Sequence, residues 1–154
     1  MKPKKIYVAS SWRNLHQPLV VQALRELGHD VYDFRRPPGG SAFSWKEVDG
    51  GWQGWTTEQY REALRHPIAR AGFASDMKAL RECDACVLVM PCGRSANWEL
   101  GFAMGEGKPG FVVQLEPAEP ELMYSGATIL ASVAELRDVF ELSGRTVAAR
   151  SSST

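Results

Sequence analysis

The feature that most constrains this chain is the run at 85–90, which is apolar throughout, rich in β-branched residues and too short for a helix. Such a run reads as a strand buried on both faces, and strands of that kind lie inside parallel sheets. Breakers and polar groups follow from Pro91 to Ser95, and residues 96–106 then read as a helix stopped by Gly107 and Pro109. Strand, loop and helix in that order place Gly93, Arg94, Ser95, Asn97 and Glu99 at the carboxyl edge of the sheet, where open α/β folds bind ligands.

Glu99 is the leading candidate for chemistry. It falls in or just after the first turn of the expected helix, where unpaired amides and the helix dipole favour its ionised form. A carboxylate that stays charged can act as a nucleophile or support a cationic transition state. The competing reading is a capping box, but Glu99 lies four residues after Ser95 and the box position is Trp98.

The rest of the chain repeats the strand-to-helix pattern. Residues 5–10 read as a first strand, followed by the polar segment 10–14. In the next stretch Leu15, Leu19, Val20, Ala23, Leu24 and Leu27 share one face at helical spacing before Gly28. A second strand at 29–34 completes a βαβ start. Ser10, Ser11 and Arg13 stand next to a helix start, a position suited to an anion or to a solvated cap, without the glycines of a dinucleotide fingerprint or P-loop.

Periodicity fails from 35 to 57, where prolines and glycines alternate with Phe43, Trp45, Trp52 and Trp55. Such a loop either seals the sheet edge or forms a lid that stacks on a flat ring. Residues 58–69 and 71–81 read as two helices, the second burying Phe73, Met77 and Leu80 and carrying Asp76, for which a solvated surface acid is the default reading. A fourth strand at 110–115, a short strand near 127–130 and a helix at 132–142 close the pattern. The expectation is one α/β domain over 1–142, a flavodoxin-like doubly wound sheet of five parallel strands, with a mobile tail at 143–154.

Composition excludes several partner classes. Basic and acidic residues balance at 18 each in 154 residues, so net charge calls for neither a nucleic-acid polymer nor an anionic membrane. No apolar run approaches a membrane span, and the charged start leads directly into a strand, which points to a cytoplasmic protein. Cys83, Cys86 and Cys92 form no disulfide framework. The single C-x-x-C has no second pair, so buried small hydrophobes are the preferred reading over a metal or redox site, and no metal or cofactor is expected.

These residues carry a resemblance to the nucleoside 2-deoxyribosyltransferase family, which includes deoxynucleoside 5′-monophosphate N-glycosidases. It rests on Ile-Tyr-Val-Ala-Ser-Ser-Trp-Arg from Ile6, on Ser-Asp-Met-Lys-Ala-Leu from Ser75 and Cys-Asp-Ala-Cys-Val-Leu-Val from Cys83. Above all it rests on Glu-Leu-Gly-Phe-Ala-Met-Gly-Glu-Gly-Lys-Pro from Glu99. The resemblance implies an enzyme acting on a small nucleoside or nucleotide, with Glu99 as the nucleophile on the anomeric carbon, Asp76 as the acid that assists the leaving base and Tyr7 positioning Glu99. It places Ser11, Arg13 and Ser95 where the monophosphate hydrolases hold the 5′-phosphate. It also implies a homodimer or higher homo-oligomer, with Met123 and Tyr124 in the region a neighbour would complete.

One departure bears on substrate. Transferases of the family carry an aspartate six residues before the nucleophile, where this chain has Gly93 followed by Arg94. Arg94 and Arg13 together suit an anionic substrate, so a 5′-nucleotide stands level with a free nucleoside, and hydrolysis with transfer. For Asp76 to hold a proton, burial or a like charge must raise its pKa. The alternative is a non-catalytic nucleotide-binding module in which Glu99 holds a ribose hydroxyl and Trp45 and its neighbours close over a base.

Overall fold

The computed structural model describes residues 2–143. The segment from residue 144 onward, most of the expected tail, lies outside the described residues.

Five strands form one parallel sheet: β1 (Lys5–Ala9), β2 (Asp30–Asp33), β3 (Ala85–Val89), β4 (Gly110–Val113) and β5 (Thr128–Leu130), in the spatial order β2-β1-β3-β4-β5. This is the flavodoxin-like order, and the chain reverses direction across the sheet between β1 and β3, the switch point where such folds bind ligands. β3 is buried along its whole length, as its unbroken apolar run requires.

Side-chain alternation sorts the strands into two cores. Ile6, Val8, Val87 and Val89 face α1 (Gln17–Glu26) and α5 (Val133–Phe140), with Val20, Leu24, Leu136 and Phe140 closing that layer. Tyr7, Ala9, Cys86 and Leu88 face the opposite layer with Met77, Leu80, Ala96, Leu100 and Ala103. These come from α3 (Pro67–Glu82) and α4 (Arg94–Gly105). The parity of the strands therefore sends Tyr7 toward the two helices that carry Asp76 and Glu99.

Several local expectations are corrected. The helical region before β3 breaks at residues 64–66 and not near residue 70, giving α2 (Thr57–Ala63) and a long α3. Pro67 is the reason: it is acceptable only in the first turn of a helix, and His66 caps that turn by accepting the Ile68 N–H. With α3 in this phase Phe73 is exposed at 62% while Met77 and Leu80 are buried. In α1 the missed residue is Gln17, buried and donating to Asp33 Oδ1 at 2.8 Å, whereas Leu15 and Leu19 are 90% and 47% exposed. Asn14 accounts for this start, since its Oδ1 accepts the N–H groups of His16 and Gln17. Among the described residues no helix is long and apolar enough to cross a membrane.

Candidate active site

The carboxyl edge at the switch point is built from two loops sewn together. The Ser10 hydroxyl and the Asn14 amide both donate to the Val89 carbonyl, at 2.9 and 3.1 Å, and Asn14 also donates to the Pro91 carbonyl at 2.8 Å. The loop after β1, with Ser11 and Arg13, is thereby fixed against the loop after β3 that leads to Arg94 and Ser95. From the other side one Arg35 nitrogen donates to the carbonyls of Ser11, Trp12 and Asn14 at 2.8–3.0 Å, its guanidinium 5.8 Å from the Trp12 and Phe34 ring centroids. Arg13, Arg94 and Ser95 are exposed and Ser11 is half-buried. Gly93 caps α4 without a side chain, so nothing from the cap position covers the first amides of this helix.

Glu99, Asp76 and Tyr7 meet on the α3/α4 side of this edge. Each of the three acts electrostatically on another: Asp76 on Glu99, and both carboxyls on the Tyr7 phenol. Glu99 is half-buried and, among the described residues, makes no salt bridge. It lies in the second turn of α4, beyond the reach of the end amides, which corrects the expectation that the helix start keeps it ionised. The structure sets its pKa the opposite way: burial first, then the Asp76 charge, push it up to about 8, opposed by the Tyr7 phenol.

Asp76 is half-buried and not a solvated surface acid, and burial raises its pKa too. Against that shift the Tyr32 hydroxyl donates to its Oδ1 at 2.7 Å, and the same hydroxyl lies 3.1 Å from Ser75 Oγ. Tyr32 is in register with Tyr7 on the neighbouring strand, and their rings stack at 5.1 Å with 19° between planes. Burial and the two carboxylates hold both phenols protonated far above the usual tyrosine range. The Tyr7 hydroxyl is fully buried and among the described residues makes no hydrogen bond of ordinary geometry. It is near enough to Glu99 to favour the carboxylate, so the two stand close without being aligned.

Beside Glu99 the loop and α4 add a polar corner. Tyr124 donates to Asn97 Oδ1 at 2.6 Å, and Asn97 donates to the Gly93 carbonyl at 3.1 Å. Burial raises the Cys92 thiol, and Glu99 raises it further. Cys83 and Cys86 are buried, with Cys83 donating to the Leu80 carbonyl, as expected of small core residues.

Trp45 sits within an aromatic group, edge-on to Phe43, Trp55 and Tyr60 at 4.7, 5.5 and 6.1 Å. The structure brings this loop to α3 through Phe43, which presses on Gly72 so closely that a Cβ there would lie 3.1 Å from the Phe43 side chain. Gly72 is one turn from Asp76 on the same helix face, so the loop abuts the site while the Trp45 ring itself is engaged with its own neighbours. Two open hollows of about 480 Å³ lie elsewhere, one at the amino edge beside Lys5, Asp30 and Asp84 and one beneath Val48, Trp55 and His66.

Sequence reasoning missed Tyr32, Asn14 and Arg35. Tyr32 carries no signal of its own in the sequence, because its place beside Tyr7 depends on the register of β1 with β2. Arg35 stands in a stretch of breakers that carries no positional signal.

The fold and site together define a doubly wound α/β domain with paired carboxyls at its switch point. No protein-family model matches the chain, and no curated protein does. Among solved structures it is similar to a 2-deoxyribosyltransferase from the psychrotolerant bacterium Bacillus psychrosaccharolyticus, with 20% identity, coverage of 89% of this chain and 90% of that one, and a TM-score of 0.55. That likeness establishes the fold.

Proposed function

We propose that this protein breaks the N-glycosidic bond of a (deoxy)nucleoside or its 5′-monophosphate, with Glu99 as nucleophile, Asp76 as acid and base, and Tyr7 positioning Glu99. The observation that carries the reading is two half-buried carboxyls, Asp76 acting on Glu99, beside a buried phenol that among the described residues has no hydrogen bond of ordinary geometry. Asp76, with its raised pKa, is suited to carry a proton during the reaction, and among the described residues Glu99 has no salt bridge.

In the first step a Glu99 oxygen attacks the anomeric carbon while the bond to the base breaks. The electron pair goes to the base nitrogen, which takes the Asp76 proton. Positive charge developing on the sugar is stabilised by the carboxylate beneath it. In the second step ionised Asp76 takes a proton from water, or from a second base, as that nucleophile displaces Glu99; this is the logic of a retaining glycosidase. Ser11 and Arg13 on one stitched loop, and Arg94 and Ser95 on the other, would hold a 5′-phosphate, and the loop carrying Trp45 would cover the base. The solved 2-deoxyribosyltransferase of the same fold supports a nucleoside-type substrate.

Exposed apolar side chains on the site helix and on the segment Leu122–Gly126 support a homo-oligomer. Trp98 stacks on Phe102 at 5.5 Å while 55% exposed, and Leu122 and Met123 are each 83% exposed. Cys83, Cys86 and Cys92 are free thiols, which suits the reducing cytoplasm. One observation favours a second reading: a Glu99 that holds its proton near neutrality could donate to a ribose hydroxyl in a non-catalytic binding module. Incubation with the common nucleosides and 5′-monophosphates, with and without a second free base, separates the two. Chromatography should show free base or an exchanged nucleoside; ligand-induced thermal stabilisation without either product would replace the enzyme with the binding module.

A further inference from the structure

Two phenols and two carboxyls face one another on the α3/α4 side of the sheet, and the two phenols favour opposite placements of a proton. Tyr32 donates to Asp76 at 2.7 Å, which stabilises an ionised Asp76. Among the described residues the buried Tyr7 hydroxyl has no acceptor in good geometry, and it would gain one when Glu99 becomes a carboxylate and turns to meet it. Among the described residues the Tyr32 to Asp76 bond is well formed, whereas the Tyr7 to Glu99 contact is close but out of line. These placements suit a resting proton on Glu99, whereas attack at a sugar requires it on Asp76. Ser75 supplies the way out, since its Oγ already lies 3.1 Å from the Tyr32 hydroxyl, whose hydrogen can reach it by rotating about one bond.

We infer that Tyr32 is a positioning residue that holds Asp76 ionised at rest, and that the site becomes productive when the Tyr32 hydroxyl turns from Asp76 to Ser75. The inference rests on Glu99 as nucleophile and Asp76 as acid. In the switch the Glu99 O–H bond breaks and an Asp76 O–H bond forms, so the pair keeps a single negative charge. Tyr32 then donates to Ser75, and Tyr7 donates to Glu99. The stacked rings fix both phenols in place, so only hydroxyl hydrogens and one carboxyl need to rotate. Among the described residues the groups that act on these four besides one another are Ser75 from α3 and Cys86 from β3, and Glu99 in turn acts on Cys92 in the loop before α4. None of them carries a positive charge that would override the phenols.

The test reads the Asp76 carboxyl directly and needs no substrate. In a Glu99→Gln protein labelled with carbon-13 at its aspartate carboxyls, the Asp76 midpoint is followed by NMR with and without Tyr32→Phe. Loss of the hydrogen bond should raise that midpoint by about one pH unit. Ser75→Ala, which commits Tyr32 to Asp76, should leave it unchanged or lower it, and this variant keeps the test open should Tyr32→Phe fold poorly. A midpoint that does not rise in Tyr32→Phe, or one that rises in Ser75→Ala, overturns the inference. In the wild-type background, Tyr32→Phe should also move the alkaline limb of the base-release profile upward, whereas a merely structural role would lower the rate without moving the limb. Absence of base release by the wild-type protein would instead count against the enzyme reading, whatever the titrations show.

Discussion

Glu99 should weaken the fold at the pH where it is needed, and Glu99→Gln should relieve that strain. The folded protein pushes the Glu99 pKa from 4.5 up to about 8. Between those values the unfolded chain has released a proton that the folded chain still holds, so stability falls as pH rises, by about 1.4 kcal/mol per unit. Across about pH 5 to pH 8 the full loss would be about 4 kcal/mol; solvent contact and sharing of the proton with Asp76 reduce it to about 2 kcal/mol. The amide introduced by Glu99→Gln is never ionised, so the variant avoids this loss. For a domain of this size the gain at about pH 8 corresponds to roughly 4–8 °C in Tm. Below about pH 4.5 both states hold the proton and the advantage should vanish. Thermal melts of both proteins followed by circular dichroism across this range provide the assay. A Tm difference that stays constant with pH, or a variant less stable than wild type at alkaline pH, would show that Glu99 does not keep its proton in the folded protein.

Four other changes have defined outcomes. Asp76→Asn should lower base release by about 10²–10⁴-fold, the usual share of a general acid, with the fold intact by circular dichroism. Arg35→Ala should release three loop carbonyls, lower stability by about 2–3 kcal/mol in urea titration, and raise KM for a 5′-monophosphate more than for the nucleoside. Lys108→Met should cost about 1–2 kcal/mol in the same titration, because Lys108 donates to the Leu80 and Arg81 carbonyls at the end of α3. Trp98→Glu should shift the protein to a smaller species in sedimentation, since it places a charge on the exposed apolar face of α4.

The layer order and the location of the site were legible because a buried parallel strand leaves little freedom. The run at 85–90 demands cover on both faces, and the loop that follows it must then lie at the carboxyl edge. What could not be read was set by contacts between distant segments. Proximity to a helix start suggested an ionised Glu99, but two extra residues at the front of α4 move it out of range of the end amides, and burial beside Asp76 governs its charge. Phe73 fits the spacing of a buried face, yet Pro67 sets the phase of α3 and turns it outward. Tyr32 was hidden for a different reason. Its partner Asp76 is 44 positions away, and only the pairing of β1 with β2 shows the two tyrosines side by side.

The proposed reaction requires Glu99 to become covalently linked to the sugar. Its most direct test is to incubate the protein with a slow 2′-fluoro nucleoside or nucleotide analogue, quench with acid, digest and map the peptides by mass spectrometry. A sugar-sized mass increment is expected on the peptide containing Glu99, absent in Glu99→Gln. Base release with no adduct on that peptide, or an adduct that persists in Glu99→Gln, would contradict it.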